Sequence, residues 1–270
     1  MGMYEFDVKE IAKFSDENPD QPYTEVAPGG YLRHWVHKND KCSVTIACFR
    51  NGEGAPEGAG LHAHPGADEV YYIVEGEALS VDTHGNEKRL HAGQFAYFEA
   101  GEPHNTRAAP GKDLIAYRFQ IGQDRHTVRP ATSDAPSTAQ HFDIAEVAKF
   151  SDENPDAPYS EIAPGGYVRH RVILNEKCAV TVLCMRAGQG PVKESGLHHH
   201  PGADEVYFIV KGEAINTDAD GNESRMGANQ FVYFDAGYPH NTRAADGSDL
   251  LVYRVTIGKD RKSVRPDWKK

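Results

Sequence analysis

The chain has 270 residues, of which 39% are hydrophobic and 26% charged, and these proportions are typical of a globular protein. The formal net charge of −11 argues against nucleic acid or an anionic membrane surface as a partner, because both are bound through basic patches. No apolar stretch reaches transmembrane length, and residues 1–7 lack the cationic start and apolar run of a signal peptide, so we expect a cytoplasmic protein.

The first half of the chain is predicted to begin with one or two helical turns over Phe6–Phe14, capped by Asp7. Short apolar runs rich in β-branched and aromatic residues follow, and each is expected to form a strand. These runs are Tyr31–Val36, Ser43–Arg50, Glu69–Glu75, Ala78–Asp82, Phe95–Phe98 and Leu114–Gln120. Turns are expected between them, among others at Glu75–Glu77. Many short strands without a helical apolar stripe indicate an all-β sandwich or barrel.

The second half of the chain repeats the first. The offset is 136 residues (198 − 62), and it holds without a gap from Phe6 and Phe142 to Pro130 and Pro266. A repeat of this length is the size of a whole small domain. Residues 131–139 are small, polar and include a proline, which is typical of a linker. We therefore expect two domains, residues 1–135 and 136–270, with the boundary near Ala135.

A group of histidines and one glutamate carries the strongest chemical signal. His62 and His64 are two residues apart, so on a strand both imidazoles leave the same face. Glu69 follows after a Pro-Gly turn, and His104 opens a later strand. Three imidazoles and a carboxylate suit a divalent first-row metal, with one or two positions left open for water or substrate. A lone buried histidine is usually a satisfied core residue, but the recurrence of the whole set favours metal. The second set is His198, His200, Glu205 and His240.

These two sets resemble the cupin superfamily in its two-domain, bicupin form. The first cupin motif ends in a glycine after the glutamate, and Gly76 and Gly212 stand at that place. The second motif is met in part, by Gly93, Gly101 and His104 in the first half and by Gly237 and His240 in the second. The resemblance implies two tandem double-stranded β-helix barrels, jelly-roll-like, with a metal inside each. Two metal ions per chain are therefore expected, with Fe first and Mn, Ni, Zn, Co or Cu as alternatives.

Candidates for catalysis stand close to these ligands. Tyr71 and Tyr207 share strand parity with the ligand glutamates, so each phenol could orient a substrate or donate a proton, or be a packed aromatic. Glu99 replaces the proline of the second motif, as Asp235 does in the other half, and could be a general base or part of a salt-bridged turn.

One arginine lies inside the last strand of each half. Arg118 and Arg254 are expensive to bury unpaired, so each could clamp a substrate carboxylate or bridge the two barrels.

Three functions remain open from the sequence. The first is an Fe(II) dioxygenase acting on a small polar or phenolic molecule, since these ligands suit Fe(II). The second is a redox-neutral isomerase, lyase or decarboxylase acting on a carbonyl or carboxylate substrate, with the metal as Lewis acid. The third is a small-molecule-binding protein without catalysis. Assembly into a homo-oligomer is also open.

The two halves are expected to be unequal in activity. Their ligands match, but Glu102 beside His104 is replaced by Tyr238 beside His240. A carboxylate at one mouth and an aromatic plug at the other favour the first half as the catalytic one.

Overall fold

The computed structural model describes residues 1–17, 23–54, 60–191 and 196–265. Its residues form two compact units. The N-unit is Lys9–Ile144, and the C-unit is Ala145–Lys270 together with Met1–Val8. Neither unit, within the described residues, contains a helix that is long and apolar enough to cross a membrane.

The N-unit is built on an antiparallel sheet in the order β10-β7-β5-β9-β4-β3-β2, with β6 and β8 pairing to the far end of β5. Its strands are β2 (Thr24–Val26), β3 (Leu32–Lys38), β4 (Cys42–Phe49), β5 (Asp68–Val81), β6 (Glu87–His91), β7 (Gln94–Phe98), β8 (Asn105–Ala108), β9 (Leu114–Ile121) and β10 (Gln140–Asp143).

The C-unit repeats this plan with a seven-stranded sheet in the order β1-β17-β14-β19-β13-β12-β11 and a second sheet in the order β16-β15-β18. Its strands are β1 (Met3–Asp7), β11 (Ser160–Ile162), β12 (Val168–Leu174), β13 (Cys178–Met185), β14 (Asp204–Lys211), β15 (Ala214–Thr217), β16 (Glu223–Met226), β17 (Gln230–Phe234), β18 (Asn241–Ala244) and β19 (Leu250–Ile257). Short helices follow the leading strands at α1 (Val8–Ile11) and α2 (Ile144–Val147), and a 3-10 turn lies at Ser151–Glu153.

Apolar residues facing inward from opposite strands form one core cluster in each unit. In the N-unit, Tyr31 stacks on Phe49 with ring centroids 4.0 Å apart, and Tyr71 and Phe98 belong to the same cluster. Burying one such side chain stabilises the fold by roughly 1.5–3 kcal/mol. The ligand-bearing starts of the long central strands lie next to these clusters, so the cores hold the site residues in place.

The leading strand of each sequence repeat lies in the compact unit of the other repeat. β1 pairs with β17, where Phe6 stacks on Phe231 at 4.8 Å. β10 pairs with β7, where Phe142 stacks on Phe95 at 5.0 Å. The compact units therefore divide at residues 8/9 and 144/145, whereas the repeats suggest a boundary near Ala135.

The predicted strands from Tyr31 to Gln120 are present, but the turn expected at Glu75–Glu77 is wrong. β5 runs straight through it, with a bulge between Ile73 and Glu75, and exchanges its first partners for β6 and β8. Gly76 lies just after this bulge. Its φ is +83° and a Cβ there would lie 1.9 Å from the carbonyl oxygen of Asp113, so the position requires glycine. At the leading end, the expected helical turns shrink to Val8–Ile11, because Met3–Asp7 is a strand.

Candidate metal centres

Backbone pairing brings each predicted ligand set together. His62 and His104 form an isolated antiparallel bridge, with the His62 amide donating to the His104 carbonyl at 3.0 Å and the reverse bond at 2.8 Å. His198 and His240 form the same bridge in the C-unit. The glutamate is the second residue of the following long strand. Three separate segments therefore converge on one point in each unit.

The four donor atoms of each set lie within 4.8 Å of one another. In the N-unit, Glu69 lies 2.9 Å from Nε2 of His64 and 3.3 Å from Nε2 of His104. In the C-unit, Glu205 lies 3.5 Å from Nε2 of His200 and 3.0 Å from Nε2 of His240. Such spacing is compatible with one ion bound by all four side chains.

The imidazoles are oriented by hydrogen bonds from their other ring nitrogen. Each Nδ1 faces a backbone carbonyl, which can only accept, so Nδ1 carries a proton and Nε2 has its lone pair whenever the ring is neutral. The six contacts are His62–Gly60 3.4 Å, His64–His126 3.1 Å, His104–Glu102 2.7 Å, His198–Gly196 3.1 Å, His200–Arg261 3.0 Å and His240–Tyr238 2.8 Å. This orientation of the imidazoles is the one that metal-ligating histidines usually have.

One atom shows the fit to a metal most directly. Nε2 of His200 is buried and makes no hydrogen bond that meets ordinary geometry to the described residues, while the Glu205 carboxylate lies 3.5 Å away. A buried polar atom without a partner is costly, and a metal ion in the cluster would satisfy it. The donor set of three imidazole nitrogens and one carboxylate oxygen also matches divalent transition metals.

The protonation states also suit metal binding. Burial lowers the pKa of His198 to about 3 and that of His62 well below its ordinary value, so both are neutral. Burial alone would raise the pKa of Glu69, but Arg118 and His64 hold it well below its usual range. Glu205 is held in the same direction. Neutral imidazoles and an ionised carboxylate are the forms that ligate. His200 differs, because Glu205 raises its pKa despite the opposing effect of burial. Metal binding at His200 therefore requires the loss of a proton, which higher pH favours.

The two buried arginines lie beside the ligand glutamates. Nη2 of Arg118 donates to Glu69 at 2.6 Å, and Nη1 of Arg254 is 3.2 Å from Glu205. Nε and Nη1 of Arg118 have no hydrogen-bond partner within the described chain. Each guanidinium thus balances the carboxylate and keeps donors that a bound molecule could use.

The catalytic candidates from the sequence separate into two groups. Tyr71 and Tyr207 are buried next to the clusters, and burial raises their pKa above the ordinary value, so both phenols stay protonated. Glu99 is exposed in the turn that precedes His104 and is not one of the four clustered residues. Its counterpart Asp235 accepts a hydrogen bond from the backbone amide of Gly2 at 2.8 Å.

A cavity of ≈ 180 Å³ opens onto the C-unit cluster. Sequence reasoning missed two of the arginines that line it, Arg171 and Arg261. The alternation of β12 could have indicated that Arg169 and Arg171 share a face, but only the fold shows that this face is the pocket wall.

Residues next to the clusters differ between the units. The Gln120 amide lies 2.9 Å from Nε2 of His64, whereas Thr256 at the equivalent place donates its hydroxyl to Glu205 at 3.1 Å. Glu102 was the reason to expect catalysis in the first half, but its carboxylate is already held by hydrogen bonds. Its carboxylate accepts hydrogen bonds from the Ser137 hydroxyl at 2.7 Å and from the amide and hydroxyl of Thr138 at 3.2 and 3.0 Å. That reason for preferring the first half is therefore lost.

Solved structures of low sequence identity share this fold. A cupin 2 conserved barrel domain protein from Leptotrichia buccalis is 12% identical with a TM-score of 0.64, over 94% of this chain and 96% of that one. A variant of salicylate 1,2-dioxygenase from Pseudoaminobacter salicylatoxidans is 12% identical with a TM-score of 0.67, over 95% and 84%. A variant of the Bacillus subtilis oxalate decarboxylase is 14% identical with a TM-score of 0.56, over 97% and 78%. No curated protein matches the chain.

The sequence family is shown by a different comparison. The model of the cupin domain matches residues 45–117 and again residues 189–256, one segment in each half. Each matched segment contains all four clustered residues of its half and the strands that position them. The chain therefore belongs to the cupin family and carries two cupin domains in tandem.

Proposed function

We propose that this protein is a metal-dependent enzyme acting on a small molecule, with a divalent transition metal in each cluster. The observation that carries the proposal is the pair of buried sets of three imidazoles and one carboxylate, each with Nδ1 held by a carbonyl. His62, His64, Glu69 and His104 would hold one ion, and His198, His200, Glu205 and His240 the other. Fe is the first candidate, followed by Mn, Ni, Zn, Co and Cu.

Within this class, we favour an Fe(II) dioxygenase acting on a small polar or phenolic molecule. A bound iron would supply the redox chemistry for O2. Glu205 is the one carboxylate among the described residues that line the C-unit cavity, and it is a ligand. Tyr207 stays protonated, so neither group is suited to remove a proton from a substrate. The described lining of the C-unit cavity therefore offers no side chain suited to act as a general base outside the cluster.

The chain's own residues bind and orient the substrate. Arg254 presents a positive charge beside the cluster, and Tyr207 presents a phenol that can donate a proton or hydrogen bond from the neighbouring strand. The cluster residues themselves are buried, which limits the access of water.

A redox-neutral decarboxylase, lyase or isomerase is the second candidate, because one observation favours it. Such reactions can use a protonated acid beside the metal, and burial keeps Tyr207 protonated at neutral pH. Tyr71 occupies the same place in the N-unit, where the guanidinium carbon of Arg118 lies 5.7 Å from the ring centroid.

Oxygen consumption separates the two candidates. Iron-loaded protein is incubated with a panel of small phenolic and carboxylic acids, and dissolved O2 and product are followed together. The proposal expects O2 uptake in proportion to product, and none from protein with both Glu69→Gln and Glu205→Gln. Turnover that continues without O2 supports the redox-neutral candidate. Saturable binding of a small molecule without turnover, whichever metal is loaded, indicates a binding protein and contradicts both candidates.

A further inference from the structure

A row of four side chains crosses the wall of the C-unit cavity. Arg171 on β12 pairs with Thr181 on β13, Thr181 pairs with Arg254 on β19, and Arg254 pairs with Tyr207 on β14. Side chains directly opposite each other on antiparallel strands leave the same face of a sheet. Three of the four line the cavity, and Nη2 of Arg254 donates to Oγ1 of Thr181 at 3.4 Å.

The two arginines of this row lie at different depths. Arg254 is buried beside the ligand Glu205, and its Nε has no hydrogen-bond partner among the described residues. The side chain of Arg171 is 38% exposed and stands at the rim. Their strands are separated by one intervening strand, so the two backbones are about 10 Å apart. One positive charge is thus at the floor and another at the mouth.

The charges around the cavity do not cancel. Four arginines line it, namely Arg169, Arg171, Arg254 and Arg261. Glu205 faces Arg254 at 3.2 Å, and a single carboxylate, that of Glu161, is shared by Arg169 at 3.1 Å and Arg171 at 2.7 Å. Arg261 donates to the carbonyls of Gly258 and Asn175, which carry no charge. Four positive and two negative charges leave +2 before any metal is counted, so an anion is the ligand that this cavity favours.

We propose that the C-unit cavity takes a small dicarboxylate, with one carboxylate at Arg254 beside the metal cluster and the other at Arg171 on the rim. The proposal deepens the proposed function, because it names the substrate class of that same site. The volume of ≈ 180 Å³ is below the roughly 300–1,000 Å³ of sites for drug-sized ligands, which suits a compact diacid. Guanidinium groups bind carboxylates bidentately, so two of them at a fixed separation select for two carboxylates on one molecule.

Arg171 is the specificity-determining member of the row. In the N-unit the equivalent row is Trp35, Thr45, Arg118 and Tyr71, so tryptophan stands where the C-unit has arginine. The ammonium of Lys38 lies 5.1 Å from the Trp35 ring centroid there. Arg171→Trp therefore introduces a residue that this position of the fold already accommodates in the other unit.

The test uses calorimetric titration of the full chain with malonate, acetate and malonamide, each against metal-free and metal-loaded protein. Malonate is expected to bind at least about tenfold more tightly than acetate, and malonamide to bind weakly, because a charge-assisted contact is worth a factor of about ten or more. Arg171→Trp should weaken malonate about tenfold and leave acetate within about twofold, and Arg171→Lys should retain part of the difference. Arg171→Gln serves in place of Arg171→Trp should that variant fail to fold.

Equal affinities of wild-type and Arg171→Gln protein for malonate would overturn the proposal, as would equal affinities for malonate and acetate. If malonate bound only by chelating the metal ions, wild-type and Arg171→Gln protein would have equal affinities for it, because chelation does not depend on Arg171. Metal content measured on the same samples keeps the two proposals apart. Malonate selectivity in a protein that takes up no metal would leave the dicarboxylate site standing and contradict the metal enzyme, and the reverse combination would do the opposite.

Discussion

At the scale of single residues, the pairing of Arg118 with Glu69 decides the character of the N-unit site. Both side chains are almost fully buried, and the bond between them is 2.6 Å long. Taking a carboxylate out of water is costly unless an opposite charge compensates it. The guanidinium supplies that charge when no cation is bound, and Glu69 therefore stays ionised.

Replacing Arg118 with methionine should destabilise the metal-free N-unit. The substitution leaves Glu69 as an uncompensated buried charge, and such changes cost about 3–5 kcal/mol. Calorimetric melting of metal-free and metal-loaded protein measures the effect, which a bound cation should reduce. The matched control is Arg89→Met, since Arg89 is 47% exposed in its pair with Glu77 and should contribute less than about 1 kcal/mol. Similar losses from both variants would show that the buried pair is not special.

The two clusters of histidine and glutamate could be predicted from the sequence, whereas Gln120 and Arg171 beside them could not. Spacing of two residues on a strand is a local signal, so the His62–His64 pair and its repeat were visible without a fold. Arg171 and Gln120 contact the sites through strand register, which depends on bulges such as the one between Arg171 and Ile173. Local sequence does not encode which face a strand presents after a bulge.

At the scale of elements, the leading strands decide where one compact unit ends. β1 and β10 have related sequences and equivalent partners, and each ends in an aspartate that accepts a hydrogen bond from a glutamine. These bonds are Gln230 to Asp7 at 3.0 Å and Gln94 to Asp143 at 2.8 Å. The sequence could not reveal the exchange, because a strand that joins its own repeat or the other repeat makes the same contacts.

Truncating the aromatic residue of a leading strand should destabilise the strand with which it pairs, which belongs to the other repeat. Phe6→Ala should lower the protection of β17 amides against hydrogen exchange by about 2 kcal/mol and leave β7 unchanged, because Phe6 stacks on Phe231. Phe142→Ala should do the reverse. Each variant controls the other. A loss of protection at β7 in Phe6→Ala would mean that the strand belongs to its own repeat in solution.

The exchanged strand β10 should also make the fold sensitive to mild acid. Burial, with help from Lys88, lowers the pKa of His141 from its ordinary 6.5 to about 4, and its Nε2 is 2.9 Å from the Ser80 hydroxyl. Between these two pH values the unfolded chain holds the proton and the folded chain does not. Stability from this group is therefore present above pH 6.5 and is lost as the pH falls towards 4.

Melting temperatures of wild type and His141→Gln between pH 7.5 and 4 measure this contribution. Glutamine can still hydrogen-bond Ser80 but does not titrate, so the decline on acidification should be shallower in the variant. His84→Gln, at an exposed loop position, should follow the wild type. Parallel curves for wild type and His141→Gln would exclude His141 as the source.

At the scale of the whole molecule, the two cupin domains carry the same candidate ligands in different surroundings. Gln120 contacts the first cluster where Thr256 contacts the second, and Trp35 takes the strand position that Arg171 has in the C-unit. The unequal halves expected from the sequence remain a prediction, but the residues that support it now favour the second. Glu102 is bound to Ser137 and Thr138, and Arg171, which lines the C-unit cavity, has Trp35 at its place in the N-unit.

Turnover should therefore depend more on Glu205 than on Glu69. Glu205→Gln is expected to reduce kcat/KM by at least about a hundredfold, as loss of a metal site does, with Glu69→Gln giving a smaller loss. Both variants are first checked for folding and for the ion that remains. Equal losses would contradict a division of roles, and a larger loss in Glu69→Gln would place catalysis in the N-unit.

The number of metal ions bound per chain is the decisive measurement. Protein saturated with Fe, Mn or Zn and freed of excess ion should hold close to two ions per chain. His62→Ala combined with His64→Ala should hold one, as should His198→Ala combined with His200→Ala. Removal of the ions by chelator should lower the melting temperature, because an ion present at a hundred times its Kd stabilises the folded state by about 2.7 kcal/mol. Wild-type protein with one ion or fewer, or a double variant that keeps both ions, would contradict two metal centres built from these eight residues.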